Sequence, residues 1–342
     1  MTSKNGRILT AAVLGVALLC VCLLGAGRAR ATAPAVQITV TTPNDEWGTE
    51  VNCSLREAIE AANTDTAVGG CPAGSGADTI LLLAGTYTLT IPPDGTPNDN
   101  ADGDLDVTAS LTLTGAGPDV TIIDGGGIDR VLHLMPSASS VVITGVTVSG
   151  GSTQTGGGIH SDAADLEILN TAVSGNTASS FGGGVYVANG TVTLDDVDIR
   201  HNSASSGGGL FIYRANVTLS SGEIVSNSAS SGGGVYAYGD STTSLQMSNS
   251  STIAHNTSTS SGGGISFADG SATLSGGRIV SNTATTNGGG VYLFSGNAII
   301  SGGSIASNTA SSGGGVYIGF SDTTISGGQI IRNSASSNGG GV

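Results

Sequence analysis

The sequence predicts an all-β chain folded as a single-stranded parallel β-helix, about nine three-strand coils long, led by a small N-terminal cap that contains a helix. Three observations carry this. Gly-Gly-Gly followed by an aliphatic residue occurs eight times, beginning at Gly156, Gly182, Gly207, Gly232, Gly262, Gly288, Gly313 and Gly339. The steps between these triplets are 26, 25, 25, 30, 26, 25 and 26 residues, a period of the size that marks stacked repeats. Within each period, short apolar alternations are separated by turn residues, and like residues return once per period.

One unit runs from Gly182 to Ser206 and contains three strand-like pieces: Val185-Tyr186-Val187, Val192-Thr193-Leu194 and Val197-Asp198-Ile199. Each alternates apolar residues with others, as a strand with one buried face does. Asn189-Gly190, Asp195-Asp196 and a Ser/Ala/Gly stretch read as the turns between them. The second strand recurs at Leu113, Ile143, Ile168, Leu194, Leu219, Met247, Leu274, Ile300 and Ile325. The third recurs at Val148, Val173, Ile199, Ile224, Ile253, Ile279, Ile305 and Ile330. No helical periodicity appears beyond residue 110. Coils stacked about 4.8 Å apart would line these residues into aliphatic ladders. A β-propeller needs blades of about 40–50 residues, so the unit is too short for one.

The third strand ends in Asn176, Asn202, Asn227, Asn256, Asn282, Asn308 and Asn333, each followed by Ser or Thr. Stacked amides can bond one another in a ladder, so these Asn are read as structural. The Gly triplets are read likewise, because Gly lets neighbouring coils approach closely. They lack the following helix and Lys of a phosphate cradle. The residue after each triplet's aliphatic is His160, Tyr186, Phe211, Tyr236, Ser266, Tyr292 or Tyr317. Its neighbours are apolar and point inward, so this position points outward. It forms either a sugar-binding or partner-binding strip or, as expected here, a ladder of rings that stack on each other.

Composition narrows the function. The formal net charge is −15 and the only Lys is Lys4, so the chain cannot neutralise a phosphate backbone and no nucleic-acid partner is expected. Lys4 and Arg7 precede an apolar run from Ile8 to Ala26, and Ala29-Arg30-Ala31 follows. This reads as a signal peptide over residues 1–31 cut after Ala31, or as an uncleaved anchor; no other membrane insertion is expected. Only Cys53 and Cys71 then lie on the exported side, either paired in an oxidising compartment or as two free thiols.

Residues 36–110 read as the cap and 111–342 as the repeats. In the cap, Ser54 and Glu57 form a capping-box pattern ahead of a helix-favouring stretch. The string Cys53-Ser54-Leu55-Arg56-Glu57-Ala58 resembles the CSLREA N-terminal domain of bacterial surface and secreted proteins. Gly85-Thr86-Tyr87-Thr88-Leu89, Gly103-Asp104-Leu105-Asp106-Val107-Thr108 and Ile122-Ile123-Asp124-Gly125 fit the same pattern. The repeats, [Ile/Val]-x-x-Asn then Gly-Gly-Gly-[Ile/Val], resemble the right-handed β-helix repeats of polymorphic outer-membrane proteins, with GGG where that family usually has GGA. Together the resemblance covers residues 36–342. It implies a right-handed β-helix stalk, export and surface display, in the outer membrane if the source is Gram-negative. It supplies no catalytic residue.

Enzymes of the pectin-lyase-like β-helix class set the alternative. Lyase chemistry on acidic sugars needs a Lys or Arg base and Ca²⁺-holding carboxylates, and here Arg200, Arg214, Arg278 and Arg332 fall on different coils. Glycoside hydrolysis needs two carboxylates about 5–9 Å apart. Asp195, Asp196 and Asp198, with Asp162, Asp165 and Glu167 one coil earlier, are the acidic candidates; solvated edge residues are the expected reading. Asn98 to Asp106 resembles the first half of a calcium loop, but Ala109 stands where the closing Glu belongs, so a turn is expected. His133, His160, His201 and His255 read as isolated, and no catalytic, cofactor or metal residue is assigned. The expectation is an exported, adhesin-like or structural stalk, not an enzyme, contacting extracellular glycans or surface proteins. Because the sequence stops as another coil begins, the expectation is that the natural product is longer or that the gene is truncated.

Overall fold

The computed structural model describes residues 35–48, 51–96 and 98–342; the signal or anchor expected over residues 1–31 lies outside them. The described residues form one compact unit, a single-stranded parallel β-helix. Among the described residues the strands fall into a seventeen-stranded sheet, an eight-stranded sheet and a nine-stranded sheet. All pairings between named strands are parallel, each strand lying beside its counterpart one coil on, as in Leu166↔Val192 and Val192↔Val217.

The aliphatic residues stack in register. Leu113, Ile143, Ile168, Leu194, Leu219 and Met247 form one continuous ladder. Val148, Val173, Ile199, Ile224 and Ile253 form another. All of them are at most 2% exposed, so burial of these stacked side chains supplies the driving force of the fold. The ladders also reach into the cap. Ile38 pairs with Ile80 and Ile80 with Leu113, while Tyr87 pairs with Ile123 and Ile123 with Val148. The stack therefore starts at the strand Gln37–Thr39, inside the region read as cap, and continues past residue 110 without a break.

Two turns read from the sequence are strands. The Ser/Ala stretch forms the eight-stranded sheet, for example Ser203–Ser206 and Ser228–Ser231. Its hydrophobic signal is weak because the inward positions are small: Ala178, Ala229 and Ala310 are buried. Backbone pairing with the neighbouring coils holds these strands. Asp195-Asp196 sits within the continuous strand Thr191–Arg200. There the change of direction is made by Asp196 alone, at φ 55°.

The helix Leu55–Thr64 opens with a complete capping box between Ser54 and Glu57. It packs against Gln37–Thr39 and Leu105–Val107, the first strands of two sheets, and buries Leu55, Ala58 and Ile59. Apolar surface that the first coil would otherwise expose is thus covered. A disulfide joins Cys53 to Cys71, both buried.

At the corner that ends the third strand of successive coils the Asn side chains form a ladder, buried from Asn176 to Asn308. Asn202 donates from Nδ2 to Val173 O at 2.9 Å and to Asn227 Oδ1 at 3.1 Å. Its backbone N–H reaches the same Oδ1 at 2.9 Å. The pattern runs from Asn176 to Asn333. Every amide in the run is paired, which removes the roughly 1–3 kcal/mol penalty of a buried unsatisfied group.

Candidate functional site

The nine-stranded sheet carries the outward ladder. Register aligns Asp106, His133, His160, Tyr186, Phe211 and Tyr236 on successive coils, then Ser266, Tyr292 and Tyr317. Tyr186 and Phe211 stack at 5.4 Å with planes 10° apart, and Phe211 and Tyr236 at 5.3 Å and 12°. Phe211 is only 4% exposed. The central rings therefore spend their faces on one another.

The ladder is interrupted once. Ser266 has no ring, and between Tyr236 and Tyr292 lies an open slot of about 290 Å³, also lined by Ser260, Ser261 and Phe294. Two coils at about 4.8 Å each separate the flanking positions, which leaves space for one ring between two others.

At the N-terminal end of the same column the aromatics give way to ionisable groups. His133 Nδ1 lies 3.1 Å from Asp106 Oδ1. The His133 and His160 rings meet edge to face at 5.0 Å. His160 Nε2 is 3.3 Å from Asp162 Oδ2, and its Nδ1 is 3.1 Å from Thr155 Oγ1. Beside them, Arg130 Nε is 2.6 Å from Asp104 Oδ2. Asp104 Oδ2 and Asp106 Oδ1 are buried, and their partners are these ion-pair contacts with Arg130 and His133 rather than well-aligned hydrogen bonds. A cavity of about 240 Å³ opens next to this group, lined by Asp99, Asp102, Asp104, Asp106, Asp129 and Arg130.

Burial dominates the electrostatics. It pushes the Asp104 carboxyl up to about 7, against the opposing pull of Arg130. It also lowers His160 below the usual imidazole range, which favours the neutral ring. A hydrogen bond from His160 holds Asp162 below the ordinary carboxylate range. Two donor sets have ligating atoms within 4.8 Å of one another: His133, His160 and Asp162, and Asp104, Asp106 and His133.

His133 and His160 were expected to be isolated, and the structure brings them together. The signal was available: Asp106, His133 and His160 are each 27 residues apart, about one coil. His201 and His255 do occupy corners, at φ 54° and 56°. The acidic residues of the later coils do not converge. Asp195 lies opposite Leu169, Asp198 opposite Ala172, and Glu167 opposite Thr193. Asp198 pairs with Arg200, Asp195 accepts from Ser221 Oγ at 2.6 Å, and Asp162 belongs to the histidine group.

The loop that resembles a calcium site holds a cation supplied by the protein. Arg56 donates to the carbonyls of Asn100, Asp102 and Asp104 from Nη1, at 3.3, 3.0 and 3.1 Å, and to Gly103 O from Nη2 at 2.9 Å. The guanidinium thus takes up oxygens that an ion would need. Among the described residues no helix is long and apolar enough to cross a membrane. Set against known families, curated proteins and solved structures, the chain matches none.

Proposed function

We propose that the chain is an exported, non-enzymatic protein of the bacterial cell surface, a β-helix stalk that binds extracellular glycans or surface proteins through its outward face. The observation that carries this is the work done by Cys53–Ala58, the string that resembles the CSLREA domain. Cys53 is in the disulfide, Ser54 and Glu57 cap the helix, Arg56 holds the loop, and Leu55 and Ala58 are core. All six residues serve an end cap for a stacked fold, and a buried disulfide supports export, since such bonds persist in oxidising compartments. The parallel β-helix supports a stalk: backbone pairing from coil to coil gives a rigid body with long faces. The slot between Tyr236 and Tyr292 is where a sugar ring would complete the aromatic ladder.

The test is a glycan array on the chain from residue 32 onward, with product analysis, beside Tyr236→Ala and Tyr292→Ala. Binding without cleavage that both substitutions weaken is expected. Wild-type levels of binding in both variants would remove the slot from the reading, and cleavage would remove the non-enzymatic assignment. Surface protease treatment of producing cells should also degrade the chain.

A second reading, a secreted polysaccharide lyase or glycoside hydrolase, is favoured by the cavity beside Asp104 and Asp106. Two carboxyls in one cleft are the groups that glycoside hydrolysis needs. If cleavage appears, Asp104→Asn abolishes it while Asp195→Asn does not.

A further inference from the structure

The cluster at the N-terminal end of the outward ladder has a property that neither stalk nor glycan binding requires. Two imidazoles and a carboxylate converge on one face of two successive coils, and each ring is oriented by a partner on its other nitrogen. His133 turns Nδ1 to Asp106 at 3.1 Å, which leaves Nε2. His160 turns Nδ1 to Thr155 Oγ1 at 3.1 Å and presents Nε2 toward Asp162 Oδ2 at 3.3 Å. Donors about 2.0–2.2 Å from a tetrahedral ion lie roughly 3.3–3.6 Å apart. The His160–Asp162 contact already has that separation, and the three donors lie within 4.8 Å of one another. A carboxylate behind the ligating imidazole is the usual outer support of a metal-bound histidine.

We propose that His133, His160 and Asp162 form a binding site for one divalent transition-metal ion, with zinc as the representative. Asp106 and Thr155 are positioning residues that fix the two rings. Three protein donors leave a fourth position open. The charge balance agrees: Asp104, Asp106, Asp129 and Asp162 surround the group, against Arg130 beside them and Arg56 behind the loop. Neutral imidazole is the ligating form. The second donor set shares His133, so the two sets together are read as a site for one ion. Nitrogen donors select zinc, copper or nickel over calcium.

The test is calorimetric titration of the full chain with zinc sulfate, after chelator treatment. One zinc per chain is expected, with no calcium binding at this group. His160→Gln and Asp162→Asn should each weaken binding at least about tenfold, and Asp106→Asn about 10–100-fold; His201→Gln should leave it unchanged. Zinc should raise the melting temperature of the wild type and not of His160→Gln. If the histidine variants fail to fold, Thr155→Val, which changes only the partner of Nδ1, should still weaken binding. A cobalt-loaded sample should show visible bands that His133→Gln loses. Absence of stoichiometric zinc binding, or equal affinity in His160→Gln and Asp162→Asn, overturns the assignment. Calcium bound here in preference to zinc overturns the metal class.

Discussion

The amide nitrogen of Asn227 lies 2.9 Å from the point that a Cβ on Gly209 would occupy. The same relation holds between Asn202 and Gly184, Asn256 and Gly234, and Asn282 and Gly264, at 2.8, 2.9 and 3.0 Å. The two most regular features of the sequence are therefore one device. The last Gly of each triplet vacates space, and the Asn of the corner that follows it fills that space. Gly209→Ala should consequently be severe, because its Cβ would also meet Gly234 O at 2.8 Å and Ile224 Cγ2 at 2.9 Å. A backbone carbonyl of the next coil cannot swing aside, so a loss of about 3 kcal/mol, the upper range for overpacking, is expected. Gly175→Ala is the comparison. That site has open space but a φ of 67°, so it should lose about 1–2 kcal/mol from backbone strain alone. Urea midpoints of the two variants in the reverse order would refute the packing argument.

Removing the amide tests the other half of the pair. In Asn227→Ala, Ile199 O loses a donor at 2.8 Å, and the Asn202 N–H and Nδ2 lose the oxygen that accepts from both. At roughly 1–3 kcal/mol for each buried group left unmade, the loss should exceed about 3 kcal/mol. Asn216, which is exposed and only accepts from Ser244 Oγ, should change stability by less than about 0.5 kcal/mol on conversion to Ala. Asn227→Asp adds a charge in a buried site. It should be less stable at pH 7 than at pH 4, because burial favours the protonated acid. Chemical unfolding at both pH values decides this.

The aromatic ladder is expected to matter to stability at its centre. Phe211 is buried between two parallel rings. Phe211→Ala should lose about 3–5 kcal/mol. Phe211→Leu should recover the burial but not the stacking, which is worth about 0.5–1.5 kcal/mol per ring pair. Phe320, 84% exposed, should tolerate Ala with little change. Thermal melts of the three variants check the order.

How much was legible follows from where the information sits. The fold class, the aliphatic ladders and the corner Asn could be read because stacking repeats one chemical choice every coil. The Ser/Ala strands could not, because their stability comes from backbone pairing and their inward residue is only Ala. The Asp106–His133–His160 column was missed because it changes residue type from coil to coil while keeping the register. Arg56 was also hidden. Its partners are main-chain oxygens of residues 100–104, and no side-chain pattern announces a carbonyl.

Arg56 gives the last prediction. It is fully buried, and its guanidinium meets Asp45 in two parallel contacts, Nε to Oδ1 at 2.8 Å and Nη2 to Oδ2 at 3.2 Å. Asp45 Oδ2 in turn accepts from the Thr90 and Ile91 amides at 2.7 and 3.0 Å. One side chain thus ties the start of the chain, the helix and the loop before the strand Leu105–Val107. Arg56→Ala would leave a buried carboxylate and several carbonyls without their cation, a loss of roughly 3–5 kcal/mol. Arg56→Lys should restore little of it, since an ammonium cannot make the forked contact. The damage should begin locally, because neighbouring coils stabilise one another in sequence. Limited proteolysis of either variant should therefore cut within residues 35–110 before the later repeats. Reducing the Cys53–Cys71 bond, which closes a separation of 18 residues, should act on the same region by about 3 kcal/mol. Equal protection of the cap and the later coils in both experiments would mean that Arg56 and the disulfide do not hold the end of the stack.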